Sequence, residues 1–188
     1  MTRGILHRDI SANNVMYDPN EPESGYLVDL DRAERVMDVE TKTKLAREPC
    51  PPVGTKAFLS IDLCTDEPVL HLYRHDLESL FYVLAWIGTR YDDGKRNDSN
   101  AFAEWESGEW ETIKKQKRAL FSSGYEYSED TQSWMIDNWL IPLGELFGKG
   151  YAARDQALAE GTLTDFDDET LGGHITYQAF YSIIRRDR

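Results

Sequence analysis

A carboxylate, an amide and a second carboxylate, spaced so that one short loop and one hairpin would gather them, constrain this chain more than any other feature. The run is His7-Arg8-Asp9-Ile10-Ser11-Ala12-Asn13-Asn14, followed by Val15-Met16 and later by Val28-Asp29-Leu30-Asp31. Four residues separate Asp9 from Asn14, enough chain to set both side chains on one side of a cleft. Val15 to Tyr17 and Tyr26 to Val28 are short apolar stretches predicted as strands, connected by the turn formers Asp18-Pro19-Asn20 and the segment Pro22 to Gly25. Such a hairpin would deliver Asp29 next to Asn14. Both are hard oxygen donors of the kind Mg²⁺ takes in near-octahedral geometry, and Asp9 is a carboxylate of the kind that serves in general acid–base chemistry.

The rest of the chain predicts a mainly helical domain around that small hairpin. Its 188 residues, 40% of them hydrophobic, suffice for one domain with a sizeable core. No apolar run approaches the length of a membrane span, and Met-Thr-Arg leads into the polar cluster without a secretory signal, so an intracellular location, cytoplasm or nucleus, is expected. Cys50 and Cys64 have no further Cys or His at ligand spacing and are expected as free thiols. The net charge of −13 disfavours nucleic acid and anionic membranes as partners and favours basic segments. Residues 32–53 read as an irregular loop closed by Pro51-Pro52. Residues 74–90 carry Leu77, Leu80, Phe81, Val83, Leu84, Trp86 and Ile87, a stripe wide enough for a helix buried on most sides. Further helices are expected from Ala101 to Leu120, Trp134 to Phe147 and Tyr177 to Ile184, with a loop from Leu158 to Glu169.

The motif H-R-D-x-x-x-x-N, met by chance in a chain this long on the order of once in a thousand, resembles the catalytic loop of protein kinases. Three further segments follow in kinase order. The triplet at Asp29 lies fifteen residues after Asn14, Gly54-Thr55-Lys56-Ala57-Phe58-Leu59-Ser60-Ile61-Asp62 resembles the end of an activation segment, and His75-Asp76-Leu77-Glu78-Ser79-Leu80 resembles the start of the long central helix. Taken together, over roughly residues 1–90, they most resemble the fungal-type protein kinase family and imply a kinase-like C-terminal lobe over residues 1–188, mainly α with a small β-hairpin.

The resemblance implies an ATP- and Mg²⁺-dependent phosphotransferase acting on a protein Ser/Thr hydroxyl, and the net negative charge favours a basic protein substrate. Asp9 would be the catalytic base, Asn14 and Asp29 the metal ligands, Met16 the floor under the nucleotide base, and Thr55 the residue on the substrate side. Asp76 would accept hydrogen bonds from the catalytic-loop backbone, and His7 and Leu30 would serve in packing. Arg8 would bind a phosphorylated activation-loop hydroxyl, with Thr41, Thr43 and Thr55 as candidates, or form a structural salt bridge.

The departures from the kinase pattern are as specific as the matches. Ser11 replaces the Lys that contacts the transferring phosphate, Asp31 replaces the Gly that ends the metal-binding triplet, and Ser60-Ile61-Asp62 replaces Ala-Pro-Glu. A Gly-rich phosphate loop, a strand Lys and a helix Glu would need roughly a hundred residues upstream of the catalytic loop, where Gly4-Ile5-Leu6 reads only as the exit of a leading helix. No G-x-G-x-x-G occurs, and Gly148-Lys149-Gly150 and Gly172-Gly173 read as helix ends. The N-terminal lobe is therefore expected to be absent, the isolated chain inactive, and the face around His7, Met16 and Leu30 and part of the Leu77 to Trp86 helix uncovered, awaiting a missing lobe or a partner. Two alternatives stay open: a pseudokinase or non-catalytic binding module, and a small-molecule phosphotransferase of related fold.

Overall fold

The computed structural model describes residues 4–37, 44–92, 95–122, 125–129 and 131–185. The chain is mainly helical, with three two-stranded antiparallel sheets among the described residues, and divides into two compact units, Met1–Val83 and Leu84–Arg188.

In the first unit β1 (Ile5–Leu6) pairs with β4 (Glu34–Arg35), and β2 (Val15–Asp18) pairs with β3 (Glu21–Leu27). Ile5-Leu6 is thus strand, and Gly4 a bend before it, rather than the exit of a helix, and part of the expected loop 32–53 supplies its partner. The hairpin turn is tighter than its sequence suggested. Asn20 donates its backbone N–H to Asp18 Oδ1 at 2.8 Å, an Asx turn that reverses the chain in two residues. The Pro22 to Gly25 segment then falls within β3, where the register jumps between Tyr17 and Asp18. Such an irregularity is where a strand tolerates a proline, which has no N–H for the ladder.

Two 3₁₀ turns, Lys56–Phe58 and Ile61–Leu63, bury Ala57, Phe58, Ile61 and Leu63 and, with Leu59 and Cys64, form the apolar centre of this unit. The 18-residue helix α1 (Tyr73–Arg90) opens with a reach-back cap: Leu72 donates its N–H to His75 Nδ1 at 3.1 Å. Its residues Phe81, Tyr82, Val83 and Ala85 are fully buried, as its wide apolar stripe required. The division between the units falls inside α1.

The second unit continues through β5 (Tyr91–Asp92), β6 (Lys95–Arg96), α2 (Glu104–Ser107), α3 (Trp110–Ala119), α4 (Ser133–Met135), α5 (Ile141–Ala159) and α6 (Tyr177–Ile184). The single helix expected from Ala101 to Leu120 is broken at Gly108, whose N–H closes α2 on Glu104 O at 2.7 Å before the chain turns extended. The helix expected over Trp134 to Phe147 is longer, running from Ser133 to Ala159 through a π-helical segment, Ile136–Leu140. Pro142 lies just beyond that segment, and a proline lacks the N–H that a regular helix would use there. The loop expected from Leu158 to Glu169 starts only after α5 and holds a 3₁₀ turn at Leu163–Asp165.

Gly148 and Gly150 are interior to α5, not at its end, because other backbone and side chains approach them closely. A Cβ on Gly144 or Gly148 would stand 2.5 Å from Leu120 O or 2.6 Å from Phe121 O, and one on Gly150 would stand 2.9 Å from Leu171 Cβ. Gly172 and Gly173 do take left-handed conformations, φ +68° and +84°, in the turn before α6. Both cysteines are free, and among the described residues no helix is long and apolar enough to cross a membrane.

Candidate active site

All of the candidate site residues lie in the first unit. Asp76, in the first turn of α1, accepts the N–H of His7 at 2.7 Å on Oδ2 and that of Arg8 at 3.1 Å on Oδ1. The helix therefore pins the loop on which Asp9 sits, as the resemblance implied. His71 Nε2 lies 2.9 Å from the same Oδ1. Burial raises the Asp76 carboxyl, but the hydrogen bond and charge of His71 and the two amides outweigh it and hold the group below the ordinary carboxylate range. His7 is buried rather than uncovered, and its ring is a hydrogen-bonded spacer: Nδ1 accepts the N–H of Asp9 at 3.3 Å, leaving Nε2 to donate to Val28 O at 2.9 Å.

Asp9 is held through one oxygen. Its Oδ1 accepts both the N–H of Thr55, at 2.9 Å, and the Thr55 hydroxyl, at 2.7 Å. Among the described residues Oδ2 meets only Arg32 Nε, at 3.6 Å, and so keeps the capacity to accept a proton or hydrogen bond. Thr55 reaches Asp9 because Gly54 takes φ +127°, and a Cβ there would stand 2.9 Å from Arg8 O.

Asn14 donates Nδ2–H to the main-chain oxygen of Asp9 at 2.9 Å, which fixes the amide and leaves its oxygen facing other groups. The N–H of Val28 bonds Asn14 O at 3.0 Å, extending the β2–β3 pairing by one step and setting Asp29 beside Asn14 along the backbone. Asp29 is exposed and takes φ +62°; Arg8, next to Asp9, takes φ +68°. Non-glycine residues in this region are strained, and such strain gathers at functional sites. At the third position of the triplet, where the kinase pattern has Gly, Asp31 is not in this region; the strain falls on Asp29.

The donors suit a hard cation. Asp29 and Asn14 carry oxygen donors of the kind Mg²⁺ takes; among the described residues no group of three or more His, Cys, Asp and Glu is arranged to hold a metal ion. Met16 on β2 is 53% exposed and Leu30 58%, as expected of an uncovered face. No residue of the Leu77 to Trp86 stretch is exposed, against the expectation that part of it would be uncovered. Ser11 is buried, and Arg32 Nε lies 3.6 Å from Asp9 Oδ2. Arg8 forms the structural alternative, an ion pair with Glu34 at 3.2 Å. Thr41 and Thr43 lie outside the described residues.

Sequence reasoning missed Arg32, Glu34, Arg47 and His71. The only local signal was the position of Arg32, one residue past the Asp-Leu-Asp triplet. In this arrangement Asp76 pins the loop that carries Asp9, and Thr55 holds the Asp9 carboxylate. Residues 1–88 match the family model described as fungal protein kinase, so this segment is similar to that family and the chain's likeness is to kinase-like phosphotransferases. No curated protein matches the chain.

Proposed function

We propose that the chain carries the hydroxyl-activating and cation-binding half of a protein kinase-type phosphotransferase, moving the γ-phosphate of ATP to a protein Ser/Thr hydroxyl. The observation that carries this reading is the division of labour on Asp9, with Oδ1 saturated by Thr55 and Oδ2 left to meet a substrate hydroxyl. Asp9 would orient that hydroxyl and take its proton, Thr55 would fix the carboxylate's rotation, and Asn14 and Asp29 would hold Mg²⁺. Bound Mg²⁺-ATP would supply the transferable phosphoryl group and part of the charge neutralisation. The acidic balance of the chain, −13, favours a substrate with Lys or Arg near the acceptor hydroxyl.

The test separates cation binding from proton transfer. Mg²⁺-dependent binding of ATP, followed by calorimetry, should weaken about tenfold or more in Asp29→Ala and persist in Asp9→Asn. Any transfer to a basic protein substrate should fall by about two orders of magnitude or more in Asp9→Asn. Binding unchanged by Asp29→Ala would overturn the reading. A second reading, a binding module that holds nucleotide without transfer, is supported by buried Ser11 in place of the phosphate-directed Lys. Retained binding with equal silence from the parent chain and Asp9→Asn would favour it.

A further inference from the structure

Glu34 on β4 sits between two arginines from different segments. Arg47 gives it two parallel bonds, Nε to Oε1 and Nη2 to Oε2, both at 2.9 Å, and Arg8 Nη1 adds a third to Oε2 at 3.2 Å. The arginine side chains are 15% (Arg8) and 12% (Arg47) exposed and the glutamate 31%, so the cluster is shielded well beyond a surface pair. The Arg47 hydrogen bonds, working against burial, hold the Glu34 carboxyl below its usual range. The contacts close into a ring: Arg47 Nη2 also donates to His71 O at 2.7 Å, His71 meets Asp76, and Asp76 holds the N–H of Arg8. One neighbour of the ring is Asp9 itself.

We propose that Glu34 is a built-in anion that fills, from within the chain, a two-arginine clasp able to hold a phosphate, so that the catalytic loop and the stretch around Arg47 are tied together without phosphorylation. Phosphate groups order such segments elsewhere by offering oxygens to clustered arginines. Here a carboxylate already takes that place. A second observation points to an oxyanion: Arg8 Nε is buried and has no acceptor among the described residues, while Arg8 Nη2 is left to Cys50 Sγ at 3.0 Å. Two carboxylate oxygens, both engaged, leave that donor unmet; a tetrahedral oxyanion has oxygens to spare. Glu34 thus acts as a positioning residue, through Arg8, on the loop that carries Asp9.

The inference rests on the phosphotransferase reading only for what the clasp serves, and its test needs no nucleotide. Thermal unfolding and amide exchange around residues 7–9 and 44–50 would be followed in the parent chain, Glu34→Ala, Glu34→Gln and Glu34→Ala/Arg47→Ala. Each would be measured in chloride and in inorganic phosphate or sulfate at equal ionic strength. Glu34→Ala should lower Tm by several degrees and speed exchange at Arg47 about tenfold. Phosphate or sulfate should reverse much of both effects in that variant, little in the parent chain and none in the double variant. An unchanged Glu34→Ala, or the same response to phosphate in all four proteins, would overturn the proposal. Should Glu34→Ala fail to fold, Glu34→Gln decides: faster exchange at Arg47 that phosphate does not reverse is expected, and unchanged exchange overturns it. Loss of ATP binding with the anion rescue intact would sink the functional reading and leave the clasp standing.

Discussion

His71 and His75, four residues apart and edge to face at 5.4 Å, have opposite duties. His71 holds Asp76 and so the catalytic loop. His75 caps α1 through Nδ1, leaving a buried Nε2–H that lies 3.8 Å from Asp62 Oδ2, too far for a hydrogen bond. Burial is the main reason the His75 ring is pushed from 6.5 down to about 4; Asp62 offsets only part, and Arg74 adds to the depression. The unfolded chain then binds a proton that the folded chain refuses, but only between those two values. Stability at and above pH 6.5 is unaffected by this group, and it falls as pH drops from about 6.5 towards 4, by about 3 kcal/mol in all. His75→Gln should flatten that slope, with urea unfolding at pH 7.5, 6.5, 5.5 and 4.5 as the measurement; an identical slope in the variant would refute the assignment. Asp76 works in a lower window. Its depressed carboxyl contributes stability above the ordinary carboxylate range, lost as pH falls below it. Asp76→Ala should cost about 3 kcal/mol or more at neutral pH, because it leaves the amides of His7 and Arg8 and the ring of His71 without their acceptor.

Among the elements, the segment 54–63 ties the site to the core of its unit, and Gly54 is its pivot. With φ +127° and Arg8 O only 2.9 Å from the site of a Cβ, Gly54→Ala should cost on the order of 2 kcal/mol. It should also expose the Thr55 amide, now bound to Asp9, to faster hydrogen exchange. Gly25→Ala is the control, since a Cβ there meets only Met16 O at 3.9 Å; equal stability of the two variants would show that the pivot is unimportant. The nearness of Asp9, Asn14 and Asp29 along one loop and one hairpin was legible in the sequence, because fixed spacings there are local properties. Thr55 and Asp76, which meet that loop across 46 and 69 residues, were reached only through the family resemblance, since no periodicity carries information over such distances, and Arg32, Glu34, Arg47 and His71 were not legible at all. Helices divided the same way. α1 and α6 could be read from their apolar stripes, and α6 is also capped by Thr176, whose hydroxyl accepts the Ala179 N–H at 3.1 Å. The glycines at 148 and 150 looked like punctuation. Only the approach of Phe121 and Leu171 explains why α5 passes through them.

At the scale of the whole molecule, a large negative charge coexists with an apolar hairpin left open on both faces. Met16 pairs with Tyr26 and Val15 with Leu27 across β2 and β3, and Met16, Tyr17, Tyr26 and Leu27 are 53, 67, 50 and 46% exposed, with Leu30 just beyond at 58%. Contiguous apolar surface of this kind drives association, whereas a net charge of −13 opposes it through mutual repulsion. Salt weakens the repulsion, since the screening length falls from about 30 Å at 0.01 M to about 8 Å at 0.15 M, and leaves apolar burial largely intact. The balance should therefore shift with ionic strength: the chain stays monomeric in dilute buffer and self-associates as salt is raised, the reverse of an assembly held by ion pairs. Sedimentation velocity across that range would read the shift. Met16→Ser combined with Leu30→Ser, both on exposed positions where the change leaves the core untouched, should move the onset to higher salt. Association that weakens with salt, or an onset unmoved by the double substitution, would show that the hairpin face is not its cause.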